Sequence, residues 1–368
     1  MLLERSTVPG RLTCGVVVYV LLLASVCLAR PSGLERVNVR VVTDEVDAVL
    51  FILAKRSAKQ TVTEADWQRI FSSEGYIRLK KREAAMQRVF EDADFKTFVL
   101  SDALLERRQA LAETLDQLKR ADVNKAARRA LLYLPKEARI KAKIYPVIKP
   151  RENSFVFDLE TDPAIFLYLD PTKSKEKFEN TLAHELHHIG YGSSCPSKST
   201  IEGISRLPQN IRHILTWTRA FGEGFAMLAA AGGPENHPHA ASNAEERARW
   251  DKDVANFNDD FRKVEKFYLD ILEDKFKTED EMQKVASSFY GVQGPWYTVG
   301  WKMAVVIEKS YGRKRLIECM CDQRKLLSTY NRAAAKYNRS ARVPLAVWSL
   351  SLIRALDGEQ NRKASETR

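Results

Sequence analysis

The sequence predicts an α+β chain, predominantly helical with a small mixed sheet. Apolar residues recur at helical spacing over residues 35–135 and again from Pro171 to about Lys336. Between these blocks the period changes, and short apolar runs bounded by turn residues read as strands. The composition is that of an ordinary globular protein, 45% hydrophobic and 29% charged over 368 residues, with 16 Gly and 13 Pro. That excludes collagen-like, low-complexity and disordered chains.

Taken in order, the chain opens on a leader. Arg5 and Arg11 outweigh Glu4, then Leu12–Ala29 run without a charge, and Arg30-Pro31 close the segment. A basic start, an apolar stretch and small residues before a break is the layout of a signal peptide, with cleavage expected after Ala29. The other reading is an uncleaved anchor, for which the apolar run is just short of the ~20 residues of a spanning helix. The expected organisation is a signal peptide over 1–29, an N-terminal helical region over 30–135, a catalytic region over 136–357 and a flexible tail over 358–368.

Within the helical region Val46, Val49, Leu50 and Leu53 share a helix face, and Thr63-Glu-Ala-Asp66 reads as a capping box. Leu104–Leu118 and Ala126–Leu134 continue the pattern until Leu134-Pro135 ends it. Ile140–Ile148, Ser154–Leu159 and Ala164–Leu169 are the expected strands, the last being the expected edge strand. The predicted mature chain contains Cys195, Cys319 and Cys321. That odd number leaves a free thiol if Cys195 pairs with one of the other two.

The chemistry lies in Lys173–Tyr191. Phe178, Leu182, Leu186 and Ile189 form an apolar stripe, and His184-Glu185-Leu186-His187-His188 is an HExxH match. Four residues apart on a helix, His184 and His188 sit one turn apart on one face, within reach of one zinc ion. Neutral imidazole is a good zinc ligand. A zinc ion with three protein ligands keeps an open position that activates a water. Glu185, projecting to the side, can act on that water as general base. Three of the six histidines fall within this motif, and His187 reads as a packing residue.

A third ligand must come from downstream. Tyr191 and Ser194 occupy the positions where a metzincin needs Gly and His. His237 and His239 lie in a turn-rich loop, and Glu202 lies in IEGIS; each is a candidate. The best is Glu223 in Phe221-Gly-Glu-Gly-Phe-Ala226, off the stripe of Ile214, Trp217, Phe221, Phe225 and Leu228. The competing reading pairs Glu223 with Arg219 on the surface. Gly222 and Gly224 each cost a helix ~0.5–1 kcal/mol relative to Ala, which implies that another backbone comes close there; the helix of His184 and His188 is the expected one. Tyr297, in the first turn of a helix opened by Pro295, is the candidate donor to an oxyanion, and Gly300 permits close packing.

Thr181–His188 and the Glu-Gly-Phe-Ala stretch at 223–226 resemble the gluzincin group of zinc metallopeptidases. More narrowly, residues 131–310 are similar to uncharacterised bacterial families of zinc-dependent peptidases. The resemblance implies a zincin-like fold, one zinc ion held by His184, His188 and Glu223, and Glu185 as catalytic base. Thermolysin-like members carry Asp four residues after the ligand Glu; here that position is Met227, so the partners of the ligand histidines stay unassigned.

The expected function is hydrolysis of peptides or proteins by an exported enzyme, periplasmic or secreted, of a bacterial cell envelope. The alternatives are an inactive or non-peptidase zinc-binding protein. The net charge of +11 is dispersed over solvated helix faces, and no nucleic-acid motif accompanies it.

Overall fold

A computed structural model describes residues 34–357; the predicted leader and tail lie outside the described residues. The α+β expectation is met, with many helices around one four-stranded sheet. The strands are β1 (Val37–Val41), β2 (Ile140–Val147), β3 (Phe155–Phe157) and β4 (Ala164–Tyr168), in spatial order β1-β2-β4-β3. The β1–β2 and β2–β4 pairs are parallel and β3–β4 is antiparallel.

Two sequence expectations are corrected here. The N-terminal region, expected to be mostly helix, also supplies a strand that was not foreseen: Val37-Asn-Val-Arg-Val41 forms β1, pairing Val37 with Ile140 and Val41 with Ile144. Its alternation of Val with polar residues is a strand signal, too short to stand out before the helical run that follows. Second, β4 is not the edge. It lies between β2 and β3, and all five of its residues are buried. A continuous apolar run such as Ala-Ile-Phe-Leu-Tyr suits a strand covered on both faces, not one facing solvent. The edge is β3.

Between β1 and β2 run seven helices, α1 (Asp44–Ser57), α2 (Glu64–Phe71), α3 (Glu74–Ala85), α4 (Asp92–Val99), α5 (Asp102–Glu106), α6 (Arg108–Lys119) and α7 (Val123–Leu131). After β4 come α8 (Lys175–Ser194), α9 (Lys198–Ser205), α10 (Gln209–Thr218) and α11 (Gly222–Ala231). Then follow α12 (Ala244–Ala255), α13 (Phe257–Leu272), α14 (Glu279–Ser288), α15 (Pro295–Tyr311), α16 (Arg313–Cys321) and α17 (Leu326–Asn338). A last helix covers 350–357. Among the described residues no helix is long and apolar enough to cross a membrane.

The two faces of the sheet look into different cores. Ile140, Ala142, Ile144, Ile165 and Leu167 join the large core, which also takes in Val46 and Leu53 of α1 and the stripe of α8. Tyr145, Val147, Ala164 and Phe166 pack with Leu79 of α3 on the other face. Residues on both sides of Pro135 therefore share one core.

α8 starts where Ser174 Oγ accepts from the Lys177 N–H. Its stripe of Phe178, Leu182, Leu186 and Ile189 is fully buried. At ~1.5–3 kcal/mol per buried side chain, the stripe outweighs the ~1 kcal/mol that Gly190 costs the helix. The tip of the Leu134 side chain packs into the space that Gly190 leaves. Cys195, just past α8, is disulfide-bonded to Cys321 at the end of α16, and Cys319 is a buried free thiol. A disulfide closing so long a loop stabilises by ~2–4 kcal/mol.

Candidate metal centre

Three helices build the site. α8 carries His184, Glu185 and His188, α11 carries Glu223 in its first turn, and α15 carries Tyr297 in its first turn.

Glu223 Oε2 lies 3.2 Å from His184 Nε2 and 3.2 Å from His188 Nε2, and the two Nε2 atoms are 3.0 Å apart. Among the described residues these three form the single cluster of this kind. One shared proton cannot satisfy three converging lone-pair atoms, whereas one cation can. A tetrahedral zinc ion with bonds of ~2.0–2.1 Å places its ligand atoms ~3.3 Å apart, close to what is seen. The donor set, two imidazoles and a carboxylate, is one that zinc takes while keeping an open position. The residues therefore fit the ion.

Burial and charge act in opposite directions on these groups. For Glu223, burial raises the pKa but the two imidazoles beside it prevail, and it is held well below the usual carboxylate range. For His188, burial lowers the pKa but the Glu223 carboxylate prevails and lifts it to about 9. Burial pushes Glu185 up against the pull of His184 and His188. A carboxyl shifted towards neutrality is better matched to proton transfer. Tyr297 is driven strongly upward by burial and then by the Glu223 charge, so its hydroxyl keeps its proton and is a donor. Its ring lies nearly parallel to that of His184, with centroids 6.3 Å apart.

His187 is buried, packs parallel to Tyr191 and is pushed down to about 3 by burial, which accords with a neutral packing residue. The Nδ1 of His184 is buried with no hydrogen-bond partner among the described residues. Met227 occupies the position at which an acidic partner was missing from the sequence.

The other candidate ligands lie elsewhere. Glu202 is exposed on α9. His237 contacts Asp251 at 2.9 Å. His239 is buried against Ser242, with Nε2 2.9 Å from the Gln293 amide. Glu223 turns to the histidines, not to Arg219, so the surface-pair reading is overturned.

The close backbone approach foreseen at the glycines is real, but its partner is different. A Cβ on Gly224 would overlap the backbone of Trp301 and Gly300 on α15, and a Cβ on Gly300 would meet Phe221 O at 2.7 Å. The two glycines therefore seat α11 on α15, next to Tyr297. Gly222 has nothing within 4 Å of its missing Cβ and needs no glycine for packing.

The cluster opens on a cleft of about 440 Å³ walled by Phe155 and Val156 of β3 and by Tyr191, Arg219 and Tyr297. A neighbouring lobe shares His188, Arg219 and Glu223 and adds Trp217 and Tyr290. Sequence reasoning missed Tyr290 and the place of Arg219 in this wall. No local pattern marks either, because Arg219, between α10 and α11, and Tyr290, in the turn between α14 and α15, reach the cleft only through tertiary packing.

The family described as "Putative zinc dependent peptidase (DUF5700)" matches residues 53–339 of this chain. No curated protein matches it, and no solved structure does.

Proposed function

The chain belongs to that family, and from this premise we propose that it is an exported zinc metallopeptidase of zincin-like fold and gluzincin type. The observation that carries the reading is the convergence of His184, His188 and Glu223 beside Glu185 on an open cleft. His184, His188 and Glu223 would hold one zinc ion, which when bound supplies a Lewis acid and lowers the pKa of a water.

The rest of the chemistry belongs to the chain. Glu185 takes the proton of the attacking water and delivers it to the leaving amine. Tyr297 donates its hydroxyl proton in a hydrogen bond to the carbonyl oxygen as negative charge develops there. β3 lines the cleft and has β4 on one side only among the described residues. An extended peptide added along its free edge would lie over the site. This role passes to β3 from β4. The Cys195–Cys321 disulfide supports an oxidising compartment, as does the leader read over residues 1–29.

The test is zinc content together with cleavage of a mixed peptide library. One zinc per chain is expected, with cleavage lost on chelation and restored by added zinc. A protein that takes up no zinc would overturn the reading; zinc uptake without peptide cleavage would redirect it to a non-peptidase. Tyr297→Phe is expected to lower kcat by ~10²-fold or more while zinc content holds. An unchanged kcat removes Tyr297 from the chemistry.

A further inference from the structure

Among the described residues Arg219 is the only Lys or Arg lining either lobe of the cleft, and it lines both. It follows α10 and precedes Glu223 by four residues, so it projects on the same side one turn earlier. Its guanidinium lies over the Tyr191 ring, 5.9 Å from the centroid. That ring is anchored from behind. The Tyr191 hydroxyl donates to the Met320 carbonyl (3.1 Å) and accepts from the buried Gln323 amide (2.6 Å). Met320 adjoins Cys321, whose disulfide ties it to the end of α8.

The guanidinium is thus placed, yet no carboxylate pairs with it among the described residues. The acidic groups of the cleft are otherwise engaged: Glu223 faces the two histidines and Glu185 lies beside them. With Glu223 committed to the metal, Glu185 is the acidic group of the cleft that would repel a substrate carboxylate, and Arg219 is the side-chain cation able to offset it. Arg presents a planar fork that accepts a carboxylate through two parallel hydrogen bonds.

We propose that Arg219 is a specificity-determining residue that binds a carboxylate of the peptide substrate, so that the enzyme favours peptides bearing one close to the scissile bond. This rests on the zinc peptidase reading. The carboxylate has two sources, the free C-terminus of a short peptide or an acidic side chain, and the probes below separate them.

The experiment uses the zinc-loaded protein and three dipeptidyl hydroxamates. One ends in Ala with a free carboxylate, one is its C-terminal amide, and one is that amide with Glu replacing the last Ala. Binding is measured by calorimetry, which does not depend on turnover. One of the two carboxylate probes is expected to bind about tenfold or more tighter than the neutral amide. The Arg219→Gln protein should lose that preference, and Arg219→Lys should keep part of it. Preference for the free carboxylate identifies the C-terminus as the source; preference for the Glu amide identifies the side chain. Equal binding of all three to wild type, or a preference that survives Arg219→Gln, overturns the proposal. Zinc content and thermal melts of the variants should match wild type, since Arg219 is exposed. A wild-type protein that takes up no zinc removes this proposal and the proposed function together. Zinc uptake with tight but indifferent hydroxamate binding removes this one alone.

Discussion

Glu185→Gln is expected to retain its zinc and to lose peptide hydrolysis by ~10²–10⁴-fold, the range over which positioned proton transfer acts. The substitution keeps the shape of the side chain and removes its basicity. The three converging atoms, on His184, His188 and Glu223, are untouched by it. Gln removes one negative charge near the site, but all three ligand atoms remain in place, so zinc is retained. Among the described residues no other carboxylate is placed to take over the base, because Glu185 and Glu223 are the acidic residues lining the cleft and Glu223 faces the histidines. Zinc content, a thermal melt and kcat/KM on a cleaved library peptide check it. Hydrolysis within a few-fold of wild type would mean that the base lies elsewhere.

Gly224→Ala is expected to destabilise the protein by ~2 kcal/mol or more, although Ala is the better helix former by ~1 kcal/mol. The new methyl would fall on the backbone of Trp301 and Gly300, and backbone cannot swing aside as a side chain can. α11 and α15 would have to separate, moving Glu223 and Tyr297 apart, so activity should fall with stability. Gly222→Ala is the control. It has the same helix and the same change in propensity, but nothing within 4 Å of the new Cβ, and should be neutral or stabilising. Paired melts would show a Tm lowered by about 4 °C or more for Gly224→Ala alone. Equal melts for the two variants would mean that the α11–α15 contact does not depend on Gly224.

The same pair of glycines shows how far the sequence reading reached. Gly-Glu-Gly inside a helix signalled that a backbone comes close, but a sequence does not say which one. The partner is α15 instead of α8. β4 and β3 exchanged roles for a related reason. Ala-Ile-Phe-Leu-Tyr comes just before the motif helix in the chain, which is why it is the expected substrate strand. Burial on both faces is what such apolarity reports, and the half-exposed Phe155–Phe157 carries the free edge.

What the sequence determined by itself was local. His184, Glu185 and His188 lie within one turn of a helix, and the helical period places two imidazoles on one face whatever surrounds them. The capping box at Thr63–Asp66, the apolar stripe of α8 and the glycine-marked approach at α11 were likewise legible, because each depends on neighbours within a few residues. The tertiary structure alone decided which atoms separated by dozens of residues meet. It brought Glu223 to within 3.2 Å of both histidines, joined Cys195 to Cys321 and left Cys319 free. It also stood Arg219 on Tyr191 at the mouth of the cleft. Those choices follow from how whole helices pack, α11 seated on α15 by Gly224 and Gly300, and such packing depends on surfaces assembled from distant parts of the chain.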